Sequence, residues 1–266
     1  MARSALINVM VGAATKAGRS LARDFGEVQN LQVSVKGPGD YVSQADRKAE
    51  DIIYSELSRA RPGYSFLMEE RGVIGGDDDQ HRWIVDPLDG TTNFLHGIPL
   101  FAISIALERQ GQIVAGVIYN PAMDEMYVAE RGGGAFMNDR RMRVAARRQM
   151  SDCVICTGIP HLGRPNHGRA LIDLRHVMAD SSGVRRLGAA ALDLAYVAAG
   201  RFDGFWEDGL SAWDMAAGLL MVREAGGFVS TREGGQDMLD TGSIVAGNEL
   251  IHGALVKTLN KPLPRS

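Results

Sequence analysis

The chain has 266 residues, 45% hydrophobic and 23% charged, enough for one large domain or two packed halves that bury a sizeable core. A net charge of -3 gives no electrostatic basis for non-specific nucleic-acid binding. The early uncharged run from Ser4 to Thr15 is too short to cross a bilayer, and two cysteines cannot build a disulfide framework, so a reducing cytoplasm is expected.

Basic residues without acids in the first twenty positions resemble a transit peptide. Leu6, Met10, Ala13, Ala17, Leu21 and Phe25, however, recur every three or four residues and predict a core helix over residues 4–25, ended by Gly26. A second helix is predicted from Ser43 to Ala60, with Ile52, Ile53 and Leu57 on one face and Arg61-Pro62-Gly63 as its stop. Trp83-Ile84-Val85 reads as a strand that runs into Asp86-Pro87. Phe101 to Leu107 and Ile113 to Tyr119 predict a hairpin turning at Gly111; Met126 to Ala129 and Gly132-Gly133-Gly134 predict a further strand and turn. Small residues and arginines from Ala145 to Asp152 mark a boundary, dividing residues 1–148 from residues 149–266. The second half predicts a strand from Cys153 to Thr157 and helices over His167–Ala179, Gly188–Ala199 and Trp213–Ala225, the last ended by Gly226-Gly227. A strand over Ser243–Ala246 and a helix from Asn248 close the chain. Helices and strands are mixed without a regular βαβ series.

The stretch with most chemistry is Asp86-Pro87-Leu88-Asp89-Gly90-Thr91-Thr92-Asn93-Phe94. An apolar strand delivers Asp86 to its end, so Asp86, Asp89 and the Leu88 carbonyl can face one point with the oxygen ligands that hard cations prefer. Gly90-Thr91-Thr92 then opens a helix whose free N–H groups suit a phosphate. By itself the segment could be a strand and an Asp-Gly turn. Cys153, Cys156, His161 and His167 imitate a zinc motif, but cysteines three apart in a strand point to opposite faces.

This segment resembles the signature of the inositol monophosphatase family. The acidic pair Glu69-Glu70, Trp213-Asp214 and the later Gly226-Gly227 match that family's other landmarks in order; Lys36 and Val42-Ser43-Gln44-Ala45-Asp46 resemble its N-terminal motif. Met68 departs from the family's usual glycine before the acidic pair. The resemblance implies a layered α/β/α/β/α sandwich of the inositol monophosphatase and fructose-1,6-bisphosphatase type, with most metal ligands in the first half. It implies two or three Mg²⁺ ions: Glu69, Asp86 and the Leu88 carbonyl at the first, Asp86, Asp89 and Asp214 at the second, Glu69 also at a weak third. Four converging carboxylates would repel one another unless cations intervened.

The same resemblance implies lithium-sensitive hydrolysis of myo-inositol monophosphate by a water that Mg²⁺ makes acidic, oriented by Glu69 and the Thr91 hydroxyl, with Asp46 bonded to Thr91. Gly90 and Thr91 would hold the phosphate, while Asp89, the Gly188-Ala189-Ala190 segment and Glu207 would meet substrate hydroxyls; Glu207 as a solvated loop acid is the alternative. Lys36 either closes over the metals or lies on the surface. The resemblance further implies a homodimer. Other small substrates stay open (fructose bisphosphate, histidinol phosphate, a nucleotide 3′-phosphate), as does a regulatory role bound to RNA or the transcription machinery.

Overall fold

In the computed structural model, backbone is described for residues 3–27, 33–37 and 40–261, and side chains for residues 3–27 and 44–261. Helix α1 (Ala5–Phe25) is capped by the Ser4 hydroxyl, which accepts from Ile7 N at 3.2 Å. An antiparallel pair, β1 (Val33–Gly37) and β2 (Asp40–Ser43), leads into α2 (Gln44–Ala60). Next come β3 (Tyr64–Met68), β4 (Gly72–Ile74), β5 (Asp78–Asp89), the short α3 (Thr91–Leu95), β6 (Ala102–Arg109), β7 (Gln112–Asn120), β8 (Glu125–Glu130), β9 (Gly134–Met137) and β10 (Arg140–Arg141). These strands form an eight-stranded sheet in the order β10-β9-β8-β7-β6-β5-β3-β4, antiparallel except where β3 meets β5. The predicted hairpin forms at β6–β7, where Gln110 and Gly111 both take positive φ.

After a 3₁₀ turn at Met150–Asp152 follow β11 (Val154–Thr157), α4 (His167–Asp180), β12 (Gly183–Arg185), α5 (Ala190–Ala198), β13 (Gly204–Asp208), α6 (Ala212–Glu224), β14 (Phe228–Ser230), α7 (Met238–Thr241), β15 (Ser243–Gly247) and α8 (Glu249–Leu259). They include a five-stranded sheet ordered β12-β11-β13-β15-β14. One strand end and one helix end differ from the sequence pattern. β5 begins at Asp78, well before Trp83, because its polar residues stay paired, His81 and Arg82 with β6 and Asp78 with Tyr64 of β3. Helix α5 starts at Ala190 because Gly188 is left-handed and Ala189 extended.

Three apolar clusters define five layers. Helices α1 and α2 cover one face of the large sheet with Met10, Leu21, Ile53 and Leu57. Helices α5 and α6 fill the space between the two sheets, packing Leu194, Leu220 and Met221 against Ile84 and Ala106 on one side and Phe205 and Ile244 on the other. Helices α4 and α8 cover the outer face of the small sheet with Val177, Ile251 and Leu255. The fold is the expected α/β/α/β/α sandwich. Cys153 lies in the outer cluster and Cys156 in the inner one, on opposite faces as their spacing requires. Among the described residues, no helix is long and apolar enough to cross a membrane.

The middle layer depends on small residues. A Cβ built at Gly218 of α6 would stand 2.5 Å from the Leu194 Cβ of α5, and one at Gly116 of β7 would stand 3.0 Å from the Ala217 Cα. Gly218→Ala is therefore expected to destabilise the protein by about 1–3 kcal/mol through overpacking. Thermal unfolding would show this as a lowered Tm; an unchanged Tm would mean that α5 has room to move.

Candidate active site

Sheet register assembles the acidic residues. β3 and β5 run parallel with Met68 opposite Val85, so the next residues, Glu69 and Asp86, stand side by side at the end of that pairing. The Glu69 N–H still donates to the Val85 carbonyl, 3.2 Å away. In a regular strand, residues three apart such as Asp86 and Asp89 face opposite ways. Here Asp86 pairs with Ser104 and Asp89 with Ala102, and the irregularity between them absorbs the extra residue. Asp86 Oδ1 accepts from Leu88 N at 2.9 Å, closing the turn around Pro87. Asp214 arrives from the first turn of α6, where its Oδ2 accepts from Ser211 N at 2.7 Å. The Ser104 hydroxyl donates to the Trp213 carbonyl at 3.1 Å, tying that helix start to β6.

The result is a cluster of Asp86, Asp89 and Asp214 in which one carboxylate oxygen from each lies within 4.8 Å of the others. Asp46, Glu69 and Glu70 form a second such group. Burial pushes the Asp86 carboxyl well up, and Glu69, Asp89, Asp214 and Asp46 push it further. Burial and Asp214 raise Asp89 in the same direction, while the bond from Ala191 N opposes the rise. Asp214 is pushed up to about 6, chiefly by burial. Oxygen-only donors whose charges repel one another in a desolvated place fit hard divalent cations, so these residues could hold metal ions.

The residues expected to meet substrate come from both halves of the chain. Asp89 Oδ2 accepts from Ala191 N at 2.7 Å and so caps α5. Asn93 donates to the carbonyls of Leu100 (2.6 Å) and Leu187 (2.8 Å), which holds the Gly188-Ala189 bend beside Gly90. Gly90 has φ 89°, and a Cβ there would stand 2.9 Å from the Leu100 carbonyl oxygen. Ala190 begins α5 next to this bend.

Glu207 is no loop acid. It lies on β13, and because β11 is parallel with Thr157 opposite Trp206, Gly158 falls beside it. A Cβ at Gly158 would overlap the Glu207 carboxyl. Burial, with Asp214 adding, raises that carboxyl to about 8; Arg186 and Arg164 act against the rise.

Thr91 differs from expectation. Its hydroxyl donates to the Leu88 carbonyl at 3.0 Å and not to Asp46, because the turn into α3 folds it back over that oxygen. Asp46 itself is buried on the first turn of α2. Lys36 belongs to β1, but its side chain lies outside the described residues.

Three contributors escaped the sequence reading. Glu50, buried on α2, accepts from Glu70 N at 2.9 Å and Arg71 N at 3.4 Å and fixes the turn that presents Glu69. Its spacing of four from Asp46, on the apolar face of α2, was the available signal. Arg164 and Arg186 carried no signal, because only the fold brings their charge to bear on Glu207.

The comparisons agree with this architecture. A family description, "Inositol monophosphatase family", matches residues 2–263. The "Inositol-1-monophosphatase" of Mesorhizobium japonicum is 79% identical over 263 residues, covering 99% of each chain. The "Nus factor SuhB" of Pseudomonas aeruginosa is 43% identical, covering 98% of each. The crystal structure of the Bartonella henselae "extragenic suppressor protein suhB" superposes with a TM-score of 0.95 at 70% identity, over 98% of this chain and 100% of that one. The chain belongs to the inositol monophosphatase family.

A carboxyl whose folded-state pKa is raised holds its proton where the unfolded chain has lost it, so its contribution to stability is full at low pH and declines as pH rises. In excess chelator, Tm is expected to fall as pH rises from the ordinary carboxylate range through about 8, where Glu207 is half ionised. Glu207→Gln should flatten the upper part of that decline. A Tm that climbs with pH under chelation would contradict the buried-carboxylate electrostatics.

Proposed function

We propose that this enzyme hydrolyses a phosphate monoester of a small polyol, myo-inositol monophosphate first, with two or three Mg²⁺ ions. The convergence of Asp86, Asp89 and Asp214 carries the reading. Asp86, Asp89 and Asp214 would hold one ion, and Asp86, Glu69 and the Leu88 carbonyl another. Mg²⁺ there supplies positive charge against the phosphate and makes a nearby water more acidic.

The chain's own groups do the rest. Glu69 and the Thr91 hydroxyl orient the attacking water, and the Thr91 bond to Leu88 fixes the direction of that hydroxyl. N–H groups of Gly90 and Thr91 donate to the phosphate oxygens as negative charge grows on them. Asp89, held by Ala191 N, offers its remaining oxygen capacity to a substrate hydroxyl as well. The Gly188–Ala190 bend and Glu207 bind the other hydroxyls, and a carboxyl that titrates at about 8 can donate or accept in doing so. Asp46, buried beside Glu69 and Glu70, supports the acidic turn. A cytoplasmic homodimer inhibited by lithium completes the proposal.

Phosphate release from inositol 1-phosphate is expected to require Mg²⁺ and to be inhibited by lithium; full activity in excess chelator would sink the metal assignment. Asp89→Asn keeps an acceptor for Ala191 N, so it should lower turnover by about a hundredfold or more with Tm nearly unchanged. Near-normal turnover would remove Asp89 from the ligand set. Glu207→Ala should change the preference among inositol, sugar and nucleotide phosphates while leaving the Mg²⁺ requirement in place. The opposite pattern would reverse its role.

The name of the P. aeruginosa relative favours a second reading, a contact with the transcription machinery. Recovery of transcription proteins on the inactive Asp89→Asn chain would separate that role from catalysis, and their absence would leave hydrolysis alone.

A further inference from the structure

Away from the carboxylates, a cleft of about 300 Å³ opens at the C-terminal end of α6, between the β6–β7 turn, the end of β8 and α7. Arg223 lies nine residues beyond Asp214 on α6 (223 − 214), so the cleft is roughly 13 Å along the helix from that carboxylate. Its floor is apolar, with Leu219, Leu220 and Met238 each no more than 3% exposed. Two guanidinium groups, Arg131 and Arg223, line the same space.

Neither cation is neutralised. No carboxylate lies within ion-pair distance of Arg131 or Arg223 among the described residues. Their side-chain partners are amides: Arg131 donates to Gln112 Oε1, and Arg223 to Gln236 Oε1 at 2.7 Å. Glu224 also borders the cleft and keeps its charge, but its oxygens are turned to the N–H groups of Gly132 and Gly134, each at 2.8 Å, and pair with neither guanidinium. Neutral amides orient a guanidinium without cancelling its charge. Each arginine has five N–H donors, and most of them stay available. Desolvation against the cleft wall, with repulsion from Arg131 adding, makes the Arg223 guanidinium less basic than usual. A doubly charged oxyanion would relieve that repulsion and could be held in the bidentate manner that suits phosphate.

We propose that this cleft is a second anion site, which binds the phosphate group of a small phosphate monoester or free phosphate between Arg131 and Arg223. The volume exceeds what a bare phosphate fills, and it leaves room for a short organic body over Leu219 and Met238.

Calorimetric titration of the full chain in excess chelator tests this, with inorganic phosphate and with phenylphosphonate, an analogue without a hydrolysable ester bond. Saturable binding is expected, weakened about tenfold or more by Arg131→Gln and by Arg223→Gln, and unmoved by Asp214→Asn. Tighter binding of phenylphosphonate would mark a monoester as the ligand, and equal or weaker binding would mark free phosphate. No saturable binding, an affinity unchanged from the parent chain in either arginine variant, or loss of binding in Asp214→Asn would overturn the site. If Arg223→Gln does not fold, Arg131→Gln decides alone.

Discussion

Everything in the candidate site follows from the electrostatic cost of gathering acids in a desolvated place. Asp86, Asp89 and Asp214 share a space in which one oxygen of each lies within 4.8 Å of the others, with Glu69 close enough to raise Asp86 further. Left without partners, such groups would keep protons or move apart. The fold resists both outcomes with backbone donors: Leu88 N on Asp86, Ala191 N on Asp89 and Ser211 N on Asp214. Each bond spends part of a carboxylate on the scaffold and leaves the rest directed at a common point, which is the arrangement a divalent ion completes.

Those bonds also explain why the two sheets share one layer of helices. Asp89 comes from the large sheet and caps a helix of the second half; Ser104 of the large sheet holds the start of α6. Asn93 links the same two parts through Leu100 and Leu187. Small residues at Gly116 and Gly218 let the backbones come close enough for these bonds to form. Positions that look like packing in the sequence are thus part of the geometry of the acids. The site cannot assemble in either half alone.

Much of this was legible in the residues. The apolar run before Asp86, the amphipathic α1 and α2, the hairpin at Gly111 and the strand at Ser243 follow local pattern, and the structure repeats them with small shifts of ends. The acidic motif was readable because its ligand types lie close in sequence or beside unmistakable neighbours such as Trp213. Short strands such as β4, β12 and β14 escaped, since three residues carry no periodicity and form only where a sheet edge offers partners. The strand under Glu207 escaped for a related reason: its alternation spans a single inner residue, Phe205, and a single outer one, Trp206. The Thr91 bond and the reach of Arg164 and Arg186 depend on the folded chain and could not be read from spacing.

Gly158 gives the fold an unusual freedom. It follows directly on β11, the parallel neighbour of β13, and lies against the Glu207 carboxyl, yet it is neither one of the three clustered aspartates nor one of their backbone donors. A single methyl group there would re-aim the acid, and with it the charge it places on Asp89, while leaving the backbone donors of the three clustered aspartates where they are. On this scaffold the direction of that acid can therefore change by one substitution, whereas the acidic cluster is held by bonds from three separate stretches of backbone.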